Sequence, residues 1–134
     1  MLSIGHRGAK GHTAENTLAS FQKALDLGVD MVELDVYQCA SGEIVVIHDE
    51  TIDRTTSGNG LVTNLTLSQL KRVSIEVVHQ IPTLVEVLDL INRKCVVNVE
   101  LKGANTAKAT LEIIDLYIGE KQWQPTDFIV SSFD

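Results

Sequence analysis

Four short apolar runs, at residues 2–5, 31–36, 95–101 and 128–132, alternate with segments whose apolar residues repeat at helical spacing. Leu18, Phe21 and Leu25 form one such stripe, Leu84, Val87, Leu88 and Ile91 a second, and Ala107, Leu111, Ile114 and Ile118 a third. Strand–helix alternation of this kind specifies an α/β chain with a parallel sheet and right-handed crossovers. Gly28 and Gly119 are placed to stop the first and third helices, and Asn16 or Thr13 to cap the first. Thr66 with Gln69 and Thr83 with Glu86 have the spacing of capping boxes.

One run departs from the alternation. Residues 44–47 follow the second strand after only a short link containing Ser41-Gly42, too short for a parallel crossover, so a β-hairpin excursion is expected there. A turn centred on Ser41-Gly42 pairs residues whose numbers sum to 83, which sets His48 opposite Asp35.

The chain of 134 residues fits a single domain spanning 1–134, and its formal net charge of −7 argues against nonspecific nucleic-acid binding. No apolar run approaches the ~18 to 20 residues a membrane span needs. Cys39 and Cys95 lack CxxC spacing and no signal-peptide pattern precedes His6, so the expected setting is cytoplasmic with two free thiols.

Polar residues collect where the first three parallel strands end. Glu33 and Asp35 lie two apart on one strand and share a face, with Val32, Leu34 and Val36 on the other. Glu100 ends the next strand, and three carboxylates on neighbouring strands suit one hard divalent cation, Mg²⁺ or Ca²⁺. Zinc fits less well, because neither cysteine has ligand spacing and the two best-placed histidines have other work. His6 and His48 reach the same rim from different segments, and two imidazoles can act as base and acid in a displacement at phosphorus. Arg7 and Lys102 supply positive charge for nonbridging phosphate oxygens. His12 and His79 fall in polar loop contexts and read as surface residues. Asp49 and Arg54 read as organisers of the loop after His48, and Glu15 as a supporting residue behind the site.

These residues resemble the glycerophosphodiester phosphodiesterase family. The matching segments are His6-Arg7-Gly8, Glu15-Asn16-Thr17, Glu33-Leu34-Asp35-Val36, His48-Asp49, the run from Asp53-Arg54-Thr55-Thr56 to Gly60, Ile81-Pro82-Thr83-Leu84 and Glu100-Leu101-Lys102, in the family's order. The resemblance implies a parallel (β/α) barrel of TIM type and hydrolysis of glycerophosphodiesters to glycerol 3-phosphate and an alcohol. It implies a divalent ion on Glu33, Asp35 and Glu100, acid–base roles for His6 and His48, and phosphate contacts from Arg7 and Lys102. Attack by water, and attack by the substrate's own glycerol hydroxyl to give a cyclic phosphate, both fit.

Such barrels have eight strands, whereas about the first four are expected here, and the stretch between Leu70 and Pro82 is short for the family. A half-barrel leaves two open sheet edges. A partial chain, a homodimer that closes the barrel, and a miscounted strand set are the competing explanations. The alternative to an enzyme is a catalytically silent half-barrel that serves as a binding or structural partner.

Overall fold

The computed structural model describes residues 2–132. Strands β1 (Ile4–His6), β2 (Met31–Gln38), β4 (Val96–Leu101) and β5 (Phe128–Ser132) form a parallel sheet in the order β1-β2-β4-β5, and β3 (Ile44–Val46) pairs antiparallel with β2. Helices α1 (Leu18–Asp26), α3 (Leu84–Ile91) and α4 (Thr106–Glu120) lie between the parallel strands, and a single-turn helix α2 (Leu67–Leu70) belongs to the excursion after β3. This is the α/β half-barrel arrangement expected, with a sheet that does not close among the described residues.

β2 is the centre of the sheet. β1 pairs with it over Met31 to Glu33, β4 over Met31 to Val36, and β3 over Val36 to Gln38. The Val36 carbonyl accepts from Lys102 on the β4 side, while the Asp35 carbonyl accepts from Ile47. Successive carbonyls point to opposite edges, so β3 takes over the β1 side of β2 where β1 ends.

The hairpin register corrects the sequence expectation by one residue. Partners sum to 82, as in Val36 with Val46, so Ile47 and not His48 lies opposite Asp35. The cause is a three-residue loop closed by the Cys39 N–H on the Glu43 carbonyl at 3.0 Å, with Gly42 at φ 99°. Glycine tolerates that left-handed conformation, which gives the odd loop length. Because a one-residue slip exchanges faces, a continued strand would carry His48 away from Asp35. The chain instead leaves strand geometry after Val46 and bends at His48.

Two hydrophobic clusters lie on opposite faces of the sheet. Val32, Leu34, Val36, Val97 and Val99 pack with Phe21 of α1 and Leu84, Leu88 and Ile91 of α3, all fully buried. Each such side chain is worth about 1.5–3 kcal/mol of transfer free energy. On the other face, Tyr37, Val45 and Ile47 pack beneath Ile52, Val62, Leu70 and Ile81 of the excursion.

Both capping boxes form at Thr66 with Gln69 and Thr83 with Glu86. The cap of α1 is neither Asn16 nor Thr13 but Thr17, which accepts from the Ser20 N–H at 3.1 Å. In α4 the buried face is Thr106, Thr110, Ile114 and Tyr117, whereas Leu111 is 46% exposed and the helix runs through Gly119. The Tyr117 hydroxyl donates to Asp89 at 2.7 Å and its ring meets Trp123 edge-on, contacts that fix the helix rotation from outside the helix. No helix among the described residues is long and apolar enough to cross a membrane.

Candidate active site

The site begins where β1 ends. Gly5 is packed so closely that a Cβ there would lie 2.5 Å from the Gly8 carbonyl oxygen. Gly8 has φ 82°, and a Cβ on it would meet Ser20 Oγ at 2.6 Å. The loop can therefore lie directly on α1, where Ser20 Oγ donates to the Arg7 carbonyl at 3.1 Å and accepts from the Ala9 N–H at 2.7 Å. Arg7 itself is held at φ 51°, a left-handed conformation that L-residues adopt at a cost.

That loop aims two side chains at the carboxylates of β2. His6 Nε2 lies 3.3 Å from Glu33 Oε2, to which the Arg7 N–H also donates at 3.3 Å. Arg7 Nε lies 3.7 Å from Asp35 Oδ2, and Asn16 Nδ2 donates to the same oxygen at 3.2 Å. From β4, Glu100 joins them, with Lys102 Nζ 3.6 Å from Glu100 Oε1. Oxygens of Glu33, Asp35 and Glu100 lie within 4.8 Å of one another.

Asp35 is fully buried and Glu33 nearly so, yet Asp35 Oδ1 and Glu33 Oε1 are buried with no hydrogen-bond partner. Burial raises the Asp35 carboxyl above its ordinary pKa, and the charge of Glu33 adds to this, against the opposing effects of the neighbouring Glu100 carboxyl and the hydrogen bond from Asn16. Two unpartnered anionic oxygens in a low-dielectric setting are costly unless a cation meets them. The donor set is all oxygen and suits a hard divalent ion.

His6 is more than half exposed, but partial burial of its ring and the positive charges of Arg7 and Lys10 hold it below the usual imidazole pKa. His48 stands on the neighbouring loop, close enough for its charge to act on His6. Its Nδ1 lies 2.9 Å from Asp49 Oδ1. Six of the seven predicted site residues thus converge directly around the carboxylates, and His48 approaches through its own loop.

Behind them runs a chain of ion pairs. Glu15 accepts from Arg7 NH1 at 3.1 Å and from both terminal nitrogens of Arg54, while Arg54 Nε donates to Asp49 Oδ2 at 2.7 Å. Burial pushes the Glu15 carboxyl up, but the hydrogen bonds and charges of Arg54 and Arg7 bring it below its ordinary value. Asn16 is the functional neighbour that the sequence reading missed as a site residue. Its signal is its place in the family-matching run Glu15-Asn16-Thr17, where its position before the first helix makes it read as a cap.

His12 is exposed as expected, and His79 is half-buried with its backbone paired to Ile75. A cleft of about 510 Å³ lies beside His6 and Lys10 and one of about 480 Å³ beside Glu15 and Arg54, and the lining of neither includes the three carboxylates.

A parallel α/β barrel-type sheet with an acidic triad and cations at the carboxyl ends of its strands has the layout of the barrel enzymes, whose active sites lie on that face. The chain belongs to the Glycerophosphoryl diester phosphodiesterase family, whose sequence model matches residues 6–134. It is 45% identical over 110 residues to a glycerophosphodiester phosphodiesterase of Caldanaerobacter subterraneus, covering 76% of this chain and 45% of that protein. YhdW of Bacillus subtilis is 37% identical over 140 residues, covering 99% of this chain and 57% of its own.

Among solved structures, the fold matches a phosphodiesterase of Oleispira antarctica in complex with the product sn-glycerol-3-phosphate. The TM-score is 0.87 at 34% identity, covering 100% of this chain and 58% of that one. A glycerophosphodiester phosphodiesterase of Agrobacterium tumefaciens gives a TM-score of 0.84 at 34% identity, with 100% and 59% covered. The chain spans about half the length of the relatives it matches.

Proposed function

We propose that this chain carries the metal-binding and proton-transfer half of a glycerophosphodiester phosphodiesterase site, which releases glycerol 3-phosphate and an alcohol. The observation that carries this is the pair of buried, unpartnered carboxylate oxygens on Glu33 and Asp35 within reach of Glu100. Glu33, Asp35 and Glu100 hold one divalent cation, with Mg²⁺ or Ca²⁺ favoured by the all-oxygen donor set. When bound, such an ion neutralises the triad and acts as a Lewis acid on a phosphoryl oxygen.

Arg7 and Lys102 bind the nonbridging phosphate oxygens and orient the phosphorus. His6 and His48 carry protons to and from the attacking and leaving oxygens, one as base and the other as acid. A neutral His6 at physiological pH, consistent with its lowered pKa, accepts a proton from the attacking hydroxyl.

Two further parts of the reading concern setting. Cys39 and Cys95 are both buried and free, which supports a reducing, cytoplasmic compartment. Among the described residues β1 and β5 are the outer strands of the parallel sheet, with Ile4 55% and Ile129 45% exposed, which supports closure of the sheet by a second copy. Sedimentation that finds a cooperatively folded monomer overturns the dimer.

The direct test is release of glycerol 3-phosphate from glycerophosphocholine in the presence of Mg²⁺ or Ca²⁺. Release that depends on metal and is lost in His6→Ala supports the proposal. No release by the folded chain, alone or as a dimer, favours a silent binding partner, and full activity in His6→Ala removes that residue from the reaction.

A further inference from the structure

Arg54 spans two carboxylates that serve different parts of the site. Its Nε and NH2 donate to the two oxygens of Asp49 at 2.7 and 3.1 Å, while NH1 and NH2 donate to the two oxygens of Glu15 at 3.1 and 3.0 Å. Asp49 in turn faces His48 Nδ1, and Glu15 grips Arg7. We infer that Arg54 is a positioning residue that locks the Asp49 carboxylate onto His48 Nδ1, fixing the neutral imidazole as the Nδ1–H tautomer with its lone pair on Nε2.

The argument is one of donors and acceptors. An ionised carboxylate only accepts, so a neutral His48 facing Asp49 must carry its proton on Nδ1. Asp49 alone could rotate about its own side-chain bonds and leave the imidazole. Arg54 removes that freedom, because a planar guanidinium that engages both oxygens fixes the carboxylate plane. The same fork ties the loop bearing Arg7 to the loop bearing His48.

Arg54 does not also have to hold its own loop. Thr51 bridges Leu61, the Ile52 N–H donates to the Gly60 carbonyl at 3.0 Å, and the Gly60 N–H donates to Asp53 at 2.9 Å. Ile52 is buried in the second hydrophobic cluster. The backbone therefore keeps its position when the Arg54 side chain is replaced.

Long-range ¹H–¹⁵N correlation of the His48 ring in the ¹⁵N-labelled chain, at a pH where the ring is neutral, tests this without turnover. The wild type is expected as the Nδ1–H tautomer. In Arg54→Gln the Nδ1–H to Nε2–H ratio is expected to fall about tenfold, the shift that loss of a charge-assisted hydrogen bond supports. Arg54→Met is read in the same way, so either variant suffices, and unchanged Ile52 and Gly60 amide shifts certify the loop. A wild type that is mainly Nε2–H overturns the inference, as does an unchanged ratio in a folded variant.

The use of this tautomer in catalysis rests on the proposed function, but the tautomer itself does not. A ratio shift without glycerol 3-phosphate release sinks only the proposed function. Release with an Nε2–H ring sinks only the role of Arg54.

Discussion

Asn16 Nδ2 donates to Asp35 Oδ2 at 3.2 Å, and both residues are buried. The contact exists because Thr17 takes the cap of α1 and Asn16 turns into the left-handed region at φ 54°, which frees its amide. Replacing a residue that orients a metal ligand ordinarily weakens metal affinity about 10- to 100-fold. Asn16→Ala is expected to lose divalent affinity by that factor while keeping its helix, as read by calorimetric titration with Mg²⁺ or Ca²⁺ and by circular dichroism. Unaltered affinity would show that Asp35 needs no help in facing the ion.

Acid sensitivity follows from Asp49. Its hydrogen bonds to Arg54, together with the smaller effect of His48, lower its pKa from 3.8 to about 2 against the opposing push of burial. A carboxylate whose folded pKa is depressed stabilises the fold fully above its unfolded value and loses that contribution as the pH falls through the folded value. Stability should therefore decline between about pH 4 and pH 2. With the Arg54 side chain 51% exposed, solvent screening limits the contribution to about 1 kcal/mol. Urea unfolding from pH 5 to pH 2 should show a shallower slope in Asp49→Asn, and an identical slope would remove Asp49 from the linkage.

Gly8 offers a steric test of the loop that carries His6 and Arg7. At φ 82°, and with Ser20 Oγ only 2.6 Å from any added Cβ, Gly8→Ala must both strain the backbone and lift the loop from α1. The expected cost is about 1–3 kcal/mol, read as a lower urea midpoint. In a Ser20→Gly background, which lacks the clashing Oγ and its two hydrogen bonds, adding Gly8→Ala should cost less than it does in the wild type, with the backbone strain remaining. Equal stability of Gly8→Ala and wild type would contradict the packing described.

What was legible in the sequence was local or periodic. Thr66 with Gln69 and Thr83 with Glu86 form their boxes because all partners lie within one turn. Glu33, Asp35 and Glu100 meet because strand alternation and parallel pairing are strict, with Asp35 directly beside Glu100 in the register. The hairpin slipped by one because the Ser41-Gly42 signal does not distinguish a two-residue turn from the three-residue loop observed. The buried face of α4 departs from its apolar stripe because Tyr117 is anchored by Asp89, 28 positions away. Arg54 organises its local loop through Asp49, yet its fork also reaches Glu15 across 39 positions, a separation on which no spacing rule reports.

The second hydrophobic cluster has a bearing on how such a chain can diversify. Ile52, Val62, Leu70 and Ile81 pack on the sheet face that carries the carboxylates, while the helices are secured by residues on the opposite face. The excursion after β3 is therefore seated above the chemistry and also carries His48, Asp49 and Arg54. Its segments beyond Arg54 are the ones whose sequence can be varied to reshape the surroundings of the carboxylates while the helix–sheet core and the proton-carrying loop stay the same.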